Sequence, residues 1–224
     1  MCGRFTLTTA AEIVADVFGV AAAPRLTPRY NIAPTQPVAV VRATSAGAPE
    51  IALLRWGLIP AWAKDPAIGN RMINARAETV ADKPAFRTAF QKRRCLVPAD
   101  GFYEWQKTAG GKRPFLIRTR DARPFALAGL WESWQQPSAT VIESCTIITT
   151  AANALMGPIH DRMPVIVAPA RYQAWLDPAL SDRATLEQIL VPYPAAELIA
   201  QAVTTRVNNP RNDDPDCLAP ATDP

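Results

Sequence analysis

Hydrophobic positions along the chain fall mostly in short runs rather than in long helical stripes. Runs at 37–42, 51–59, 94–98, 101–106, 114–119, 125–131, 141–149 and 163–168 are rich in β-branched and aromatic residues, and Gly, Pro or polar turns separate most of them. That pattern predicts strands. Helical spacing is confined to a few stretches. Thr9, Ala10, Ala11 and Glu12 read as a capping box, Ile13, Val14, Val17 and Phe18 follow on one face, and Gly19 closes the helix. Further helices are predicted over about 84–92, with Pro84 near the first helical position, and over 169–176, 182–190 and 194–202. Residues 20–36 form a Pro-rich loop, and no internal repeat or linker is visible. The prediction is one α+β domain over residues 1–224, with a mostly antiparallel sheet or barrel-like core, peripheral helices and a loose tail from about 219. The strand spacing disfavours a doubly wound fold.

Composition agrees with many short elements joined by stiff turns, because 22 of the 224 residues are proline, about twice the usual share of roughly 5%. With 49% apolar residues, a chain of this length buries a core without disulfides or metals. No apolar run reaches the roughly 18 residues a membrane helix needs. The first residues lack the charged, apolar and small-residue regions of a secretory signal, so a cytoplasmic protein is expected. Net charge is +4, and the cations are 19 Arg against 5 Lys. That imbalance fits nucleic acid, which Arg grips bidentately and stacks upon, and fits a codon bias equally well.

Cysteines lie at positions 2, 95, 145 and 217, none in C-x-x-C spacing, and the chain has a single histidine. Neither a metal site nor a redox pair is expected. Cys95 and Cys145 sit in apolar strand runs and read as buried free thiols, whereas Cys217 has no evident job. Cys2 differs from all of these. Once Met1 leaves, it carries an α-amine and a thiol, with ordinary pKa values of roughly 8 and 8.5. Such a pair condenses with an aldehyde, the amine forming an imine and the thiol closing a thiazolidine ring, a closure favoured by its intramolecularity.

Three further segments place polar residues where a plain strand would not. Glu104 lies between Tyr103 and Trp105, where a carboxyl should titrate high and suit acid–base work, or else faces solvent. His160, the sole imidazole, has Asp161 and Arg162 beside it to tune it. Asn74 is fitted to orient a substrate by hydrogen bonds. Arg4, Arg76 and Arg162 flank these groups and are phosphate-pairing candidates, although each alone is as readily a solvated or salt-bridged arginine. Of the two tryptophans in the run from 55 to 62, Trp56 is expected in the core and Trp62 facing a base, since polar residues follow it.

Taken in order, MCGRF, YNIAPTQ, RWGLIPAWAKD, INARAET, RRCLVPADGFYEW, TTAAN, HDRMPVIV and VNNPRNDDPDCL resemble the SOS-response-associated peptidase (SRAP) family of abasic-site processing proteins. The motifs run from residue 1 to about 218. The resemblance implies an autopeptidase that removes its own Met1, and a lyase-like crosslinking activity. Cys2 would join the ring-opened aldehyde of an abasic site in single-stranded DNA as a thiazolidine that shields the lesion. It implies catalytic roles for Cys2, Asn74, Glu104 and His160: Glu104 in Met1 removal and sugar ring opening, His160 as proton shuttle, Asn74 holding the new ring. It implies DNA contacts from Arg4, Pro34, Trp62, Arg76, Thr149 and Arg162. No metal, organic cofactor or membrane is implied, and the protein is expected to be a monomer. Some relatives carry a second Trp after the position of Trp62. Here Ala63 stands, so a smaller stacking surface is implied.

Two other readings compete. N-terminal-nucleophile amidohydrolases also begin with a processed cysteine, but the later signatures expected of them are missing here, and glutaminase activity would reveal one. A non-covalent single-strand-binding module would leave no adduct after denaturation.

Overall fold

A computed structural model describes residues 2–135 and 141–221. Its strands are β1 (Phe5–Leu7), β2 (Arg29–Ile32), β3 (Pro37–Ala43), β4 (Pro49–Trp56), β5 (Asn74–Arg76), β6 (Arg94–Ala99), β7 (Gly101–Thr108), β8 (Gly111–Thr119), β9 (Phe125–Gln135), β10 (Val141–Ala151), β11 (Arg162–Pro164), β12 (Ile166–Val167) and β13 (Leu198–Ala202). Four short helices lie outside them: α1 (Ala11–Phe18), α2 (Arg87–Lys92), α3 (Tyr172–Leu176) and α4 (Arg183–Glu187). The fold is α+β and dominated by sheet, as predicted.

Five strands close a ring. β4 pairs β3, β3 pairs β6, β6 pairs β9 and β9 pairs β10, all antiparallel, and β10 returns to β4 in parallel through Ser144↔Arg55 and Cys145↔Trp56. Closure leaves no free edges within the ring. Its interior is apolar, and Trp56, Leu96, Leu127, Cys145 and Ile147 are all fully buried. β5, β11 and β12 attach to β10 and β9 outside this ring. A second, open sheet of order β13-β8-β7-β1-β2 packs beside it and carries Glu104.

Two backbone details hold the barrel rim. Gly57 has φ +131°, and a Cβ there would stand 2.6 Å from the Gly69 carbonyl oxygen, so only glycine fits. Its N–H donates to Cys145 O at 2.8 Å, while Trp56 O accepts from Thr35 N and Trp56 N donates to Gln36 O. The YNIAPTQ loop is thereby sewn to the RWG turn. Arg94, almost wholly buried, donates to the carbonyls of Phe90, Gln91, Trp175, Asp177 and Leu180 and so fastens α2 and α3 to the barrel.

Several local expectations are corrected. Thr9 does not cap α1. Ala10 occupies the N-cap with no side-chain bond, because the Thr9 hydroxyl donates to Asp100 Oδ1 at 2.6 Å instead. Ile13 and Val17 are 52% and 37% exposed, and only Val14 and Phe18 of the four turn inward. The stretch 194–202 is a single 3₁₀ turn followed by β13, since pairing with β8 outweighs its helix propensity. The strand expected over 51–59 ends at Trp56, and the helix over 84–92 starts only at Arg87. The tail is not loose from 219. Thr204 N donates to Ala219 O, Ala221 N donates to Ala202 O, and Pro220 bridges Val203; residues beyond 221 lie outside those described.

One buried polar side chain ties the end of the chain to its start. Asn31 is fully buried, its Nδ2 donates to the carbonyls of Val207, Asn209 and Asn212, and its Oδ1 accepts from Arg4 Nη1 at 2.7 Å. Asn31→Ala leaves those groups unsatisfied and is expected to cost about 3 kcal/mol, a fall in Tm of ~6–12 °C for a chain of this size. Urea and thermal unfolding measure it, and a change under about 1 kcal/mol would refute the role assigned to this hub.

Candidate functional site

The start of the chain is delivered to Glu104 by strand register. β1 pairs β7 antiparallel, Phe5↔Phe102 and Thr6↔Gly101, and the pairing continues as Tyr103 N donates to Arg4 O at 2.9 Å. Residues before Arg4 therefore run along β7 toward Glu104. Asp100 locks the other end of this segment, accepting from the Thr8 hydroxyl at 2.8 Å and the Thr9 amide at 3.0 Å.

Cys2 is fully buried in the chain that still carries Met1. Burial, and then the negative charge of Glu104, push its thiol well above the usual range, so it is protonated and unreactive in this state. Glu104 is itself buried. Burial raises its carboxyl above the usual range, offset only in part by nearby positive charge that includes His160 and by the Trp105 amide. A buried acid whose carboxyl titrates above the usual range is suited to proton transfer.

Glu104 and His160 share a cleft of about 420 Å³ with Arg4, Trp105, Lys107, Lys112 and Asn208. The cleft wraps the edge of β7. That strand pairs with β8 as far as Thr108, but with β1 only through Gly101 and Phe102. His160 reaches it from a turn fixed by Asn153, whose Oδ1 accepts from Met156 N and whose Nδ2 donates to Tyr193 O, and by Gln106 Nε2, which donates to Pro158 O at 3.0 Å. The Arg162 amide donates to His160 Nδ1 at 3.0 Å, so the neutral ring carries its proton on Nε2. Asp161 Oδ1 stands 2.9 Å from the same Nδ1 on an exposed side chain. One nitrogen does not accept and donate at once. The fixed amide is the partner of the neutral ring, and Asp161 pairs with the protonated one.

Arg4 is half-buried and pinned. Its Nη1 donates to Asn31 Oδ1 and to Val207 O at 2.8 Å, and its Cζ lies 5.7 Å from the Trp105 ring centroid. Trp105 Nε1 in turn donates to Asn208 Oδ1. The guanidinium is thus held rigidly at the cleft wall.

A second group of the predicted residues gathers on β10. β5 lies parallel to it, Ile147↔Asn74 and Thr149↔Arg76, and β11 antiparallel, Ala151↔Arg162. Asn74, Arg76, Thr149 and Arg162 are therefore neighbours, and His160 joins them to the cleft. Asn74 Oδ1 is buried with no hydrogen-bond partner, which makes it an acceptor available to a ligand. Arg76 is exposed. Arg162 is already committed, bidentate to Glu78 at 2.6 and 2.9 Å and bonded to Thr149 O. That ion pair holds the Glu78 carboxyl below its usual range.

Trp56 is in the core as predicted, its Nε1 donating to Ile73 O. Trp62 is 60% exposed but does not line the Glu104 cleft. It lines a separate depression with Lys64, Asp65, Asn70 and Arg71. Pro34 lies half-buried in the loop after β2 and lines neither. Ala63 is buried, its carbonyl accepting from Trp134 Nε1 at 2.7 Å, so an indole has no room there. Cys217, left without a role, is buried against Tyr103, Leu116 and Val207. Reading single segments missed Lys107, Lys112, Trp105 and Asn208. The detectable signal was two lysines at equal distances from the Ala109–Gly110 turn. Among the described residues no group of three or more His, Cys, Asp or Glu is arranged to hold a metal, and no helix is long and apolar enough to cross a membrane.

Comparison with known proteins gives consistent matches over this whole framework. The family model described as SOS response associated peptidase (SRAP) matches residues 1–210. The abasic site processing protein YoaM of Bacillus subtilis is 43% identical over 223 residues, covering 97% of each chain. YoqW of the same organism, also named an abasic site processing protein, is 41% identical over 97% of this chain and 99% of its own. The abasic site processing protein HMCES of Xenopus tropicalis is 32% identical over 75% of this chain and 57% of its own. A crystal structure of a protein from Bacteroides thetaiotaomicron superposes with a TM-score of 0.90 at 27% identity, covering 99% of this chain and 100% of that one. A protein from Bordetella bronchiseptica superposes at 0.78 with 29% identity, over 91% and 100%. The chain, with β1 threaded beside Glu104 and its buried acid facing His160, belongs to the SOS response associated peptidase family.

Proposed function

We propose that this chain processes abasic sites in single-stranded DNA, using Cys2 as a covalent trap once Met1 is gone. One observation carries the reading: a buried acid whose carboxyl is raised above its usual range, Glu104, lies beside the sole imidazole in a cleft walled by Arg4, Lys107 and Lys112, where register brings the first residues of the chain. The names of the relatives support abasic-site processing.

The present state is then a precursor. Hydrolysis of the Met1–Cys2 peptide bond consumes one water and releases methionine, leaving the Cys2 amine free. The neutral amine attacks the aldehyde carbon of the ring-opened deoxyribose. Glu104 in its protonated form gives its proton to the departing hydroxyl, and one water leaves as the protonated imine (iminium) forms. The thiol adds to the iminium carbon, its proton passes to the Glu104 carboxylate beside His160, and the thiazolidine closes with its ring N–H in place. Net, amine, thiol and aldehyde join with loss of one water. Asn74 Oδ1 accepts a hydrogen bond from the ring N–H. An abasic site presents its aldehyde with no base in the way, so no base flipping is needed. Exposed Arg76 meets the adjacent phosphate, Arg162 shares its guanidinium between Glu78 and the backbone, and Thr149, Pro34 and Trp62 line the strand's path, as sequence-independent contacts.

Intact mass tests this directly. The purified chain should lack one methionine, then gain one abasic oligonucleotide less one water. Cys2→Ala should give no band that survives denaturing electrophoresis while still binding the strand reversibly; a surviving band would overturn the assignment. Glu104→Gln should slow adduct formation by about a hundredfold or more. Its stability should move the opposite way. A carboxyl whose folded pKa is raised adds stability below its unfolded value, roughly 4.3, and loses that contribution as pH rises through the folded value. Glutamine stays neutral, so the variant should match the parent in Tm at about pH 4 and exceed it at about pH 8. Thermal scans across pH check the sign.

A further inference from the structure

Lysine is scarce here, 5 against 19 arginines, yet two of the five face each other across one hairpin. Strands β7 and β8 place Lys107 directly opposite Lys112. Opposed positions have Cβ atoms about 4.5–5.5 Å apart, and like charges there destabilise a hairpin. Nothing offsets the repulsion: both side chains are exposed, and neither ammonium is in an ion pair or hydrogen bond with the described residues. Next along β8, the Arg113 guanidinium lies over the Phe115 ring, 5.8 Å from the centroid. The one carboxyl lining the same cleft is Glu104, which burial shifts toward its neutral form.

We propose that Lys107 and Lys112 form a phosphate subsite, straddling one phosphodiester of the strand just beyond the nucleotide held at Glu104. This rests on the function proposed above and extends it with a contact on the β7–β8 hairpin. A phosphate between the two ammonium groups removes the repulsion that the empty hairpin carries. The residue type suits the task. Arg4 is tethered by Asn31 and Val207 and defines a fixed point, whereas lysine is a mobile point charge on a flexible stem that follows a backbone of any sequence.

The test uses the full chain carrying Lys107→Gln and Lys112→Gln together, with Lys83→Gln and Lys92→Gln together as the control for net charge. Fluorescence anisotropy with an intact single-stranded oligonucleotide reads the subsite by itself. Affinity at low salt should fall about tenfold, and the slope of log affinity against log salt should shrink by about 0.7, the value for one single-strand phosphate contact. The control pair should change neither. Adduct formation is then followed on abasic oligonucleotides with nucleotides on both sides of the lesion, on the 5′ side alone, or on the 3′ side alone. The loss should fall on the concentration giving half-maximal rate rather than on the maximal rate, and should vanish when the flank that reaches the hairpin is absent. Melting temperature should stay equal or rise, since a repulsion is removed. Unchanged affinity and salt slope would overturn the subsite, as would equal losses on both one-sided strands or in the control pair, which would mean a diffuse field. If the unaltered chain forms no adduct, the proposed function fails, and the anisotropy arm still decides the subsite.

Discussion

The hydrogen bond from the Tyr103 amide to the Arg4 carbonyl is the point on which the site turns, because it extends the pairing of β1 with β7 past the end of the regular strand. Two residues beyond it lies Cys2, and one residue beyond Tyr103 lies Glu104. A shift of one position in this register would invert which side chains face the barrel and which face the cleft. The surroundings guard against that shift from both directions. Asp100 holds Thr8 and Thr9, and Arg4 is moored to Asn31 and Val207. A three-residue strand has little pairing energy of its own, so its position is enforced by these side chains.

Burial then sets the protonation of the groups gathered there. The same apolar surroundings raise the Glu104 carboxyl and the Cys2 thiol, yet the consequences differ. For the acid, the shift moves its titration toward neutrality. For the thiol, it means silence. The Cys2 thiol is therefore held protonated, and the closed barrel beneath supplies a wall that does not yield.

Much of this was legible in the sequence. The strand runs were placed within a few residues because their β-branched and aromatic content is strong, and Cys95, Cys145 and Trp56 were recognisable as core from their apolar neighbours. The failures were those of tertiary context. Thr9 looks like a cap until Asp100, far along the chain, takes its hydroxyl. Residues 198–202 look helical until the edge of β8 offers a partner. The short strands β1, β2 and β5 owe their existence to pairing and have too few residues to announce themselves. In the site, Glu104, His160 and Asn74 stand out locally as polar residues in apolar frames. Trp62 was singled out for the right exposure, yet it lies in its own depression rather than beside Glu104. Lys107 and Lys112 were invisible until the hairpin register brought them face to face.

The mooring of Arg4 has a consequence in time as well as in space. The carbonyls that fix Asn31 and Arg4 come from Val207 to Asn212, about as distant along the chain as the fold permits, with Asn31 and Asn212 separated by 181 positions. Translation produces the cysteine first and its scaffolding last. While the ribosome is still at work, the amino end travels without the wall that would orient it, and contacts of such long range close late in folding. The amino end of the polypeptide is thus oriented by residues that emerge near its conclusion, and Arg4 reaches its final place only after that far segment has been made.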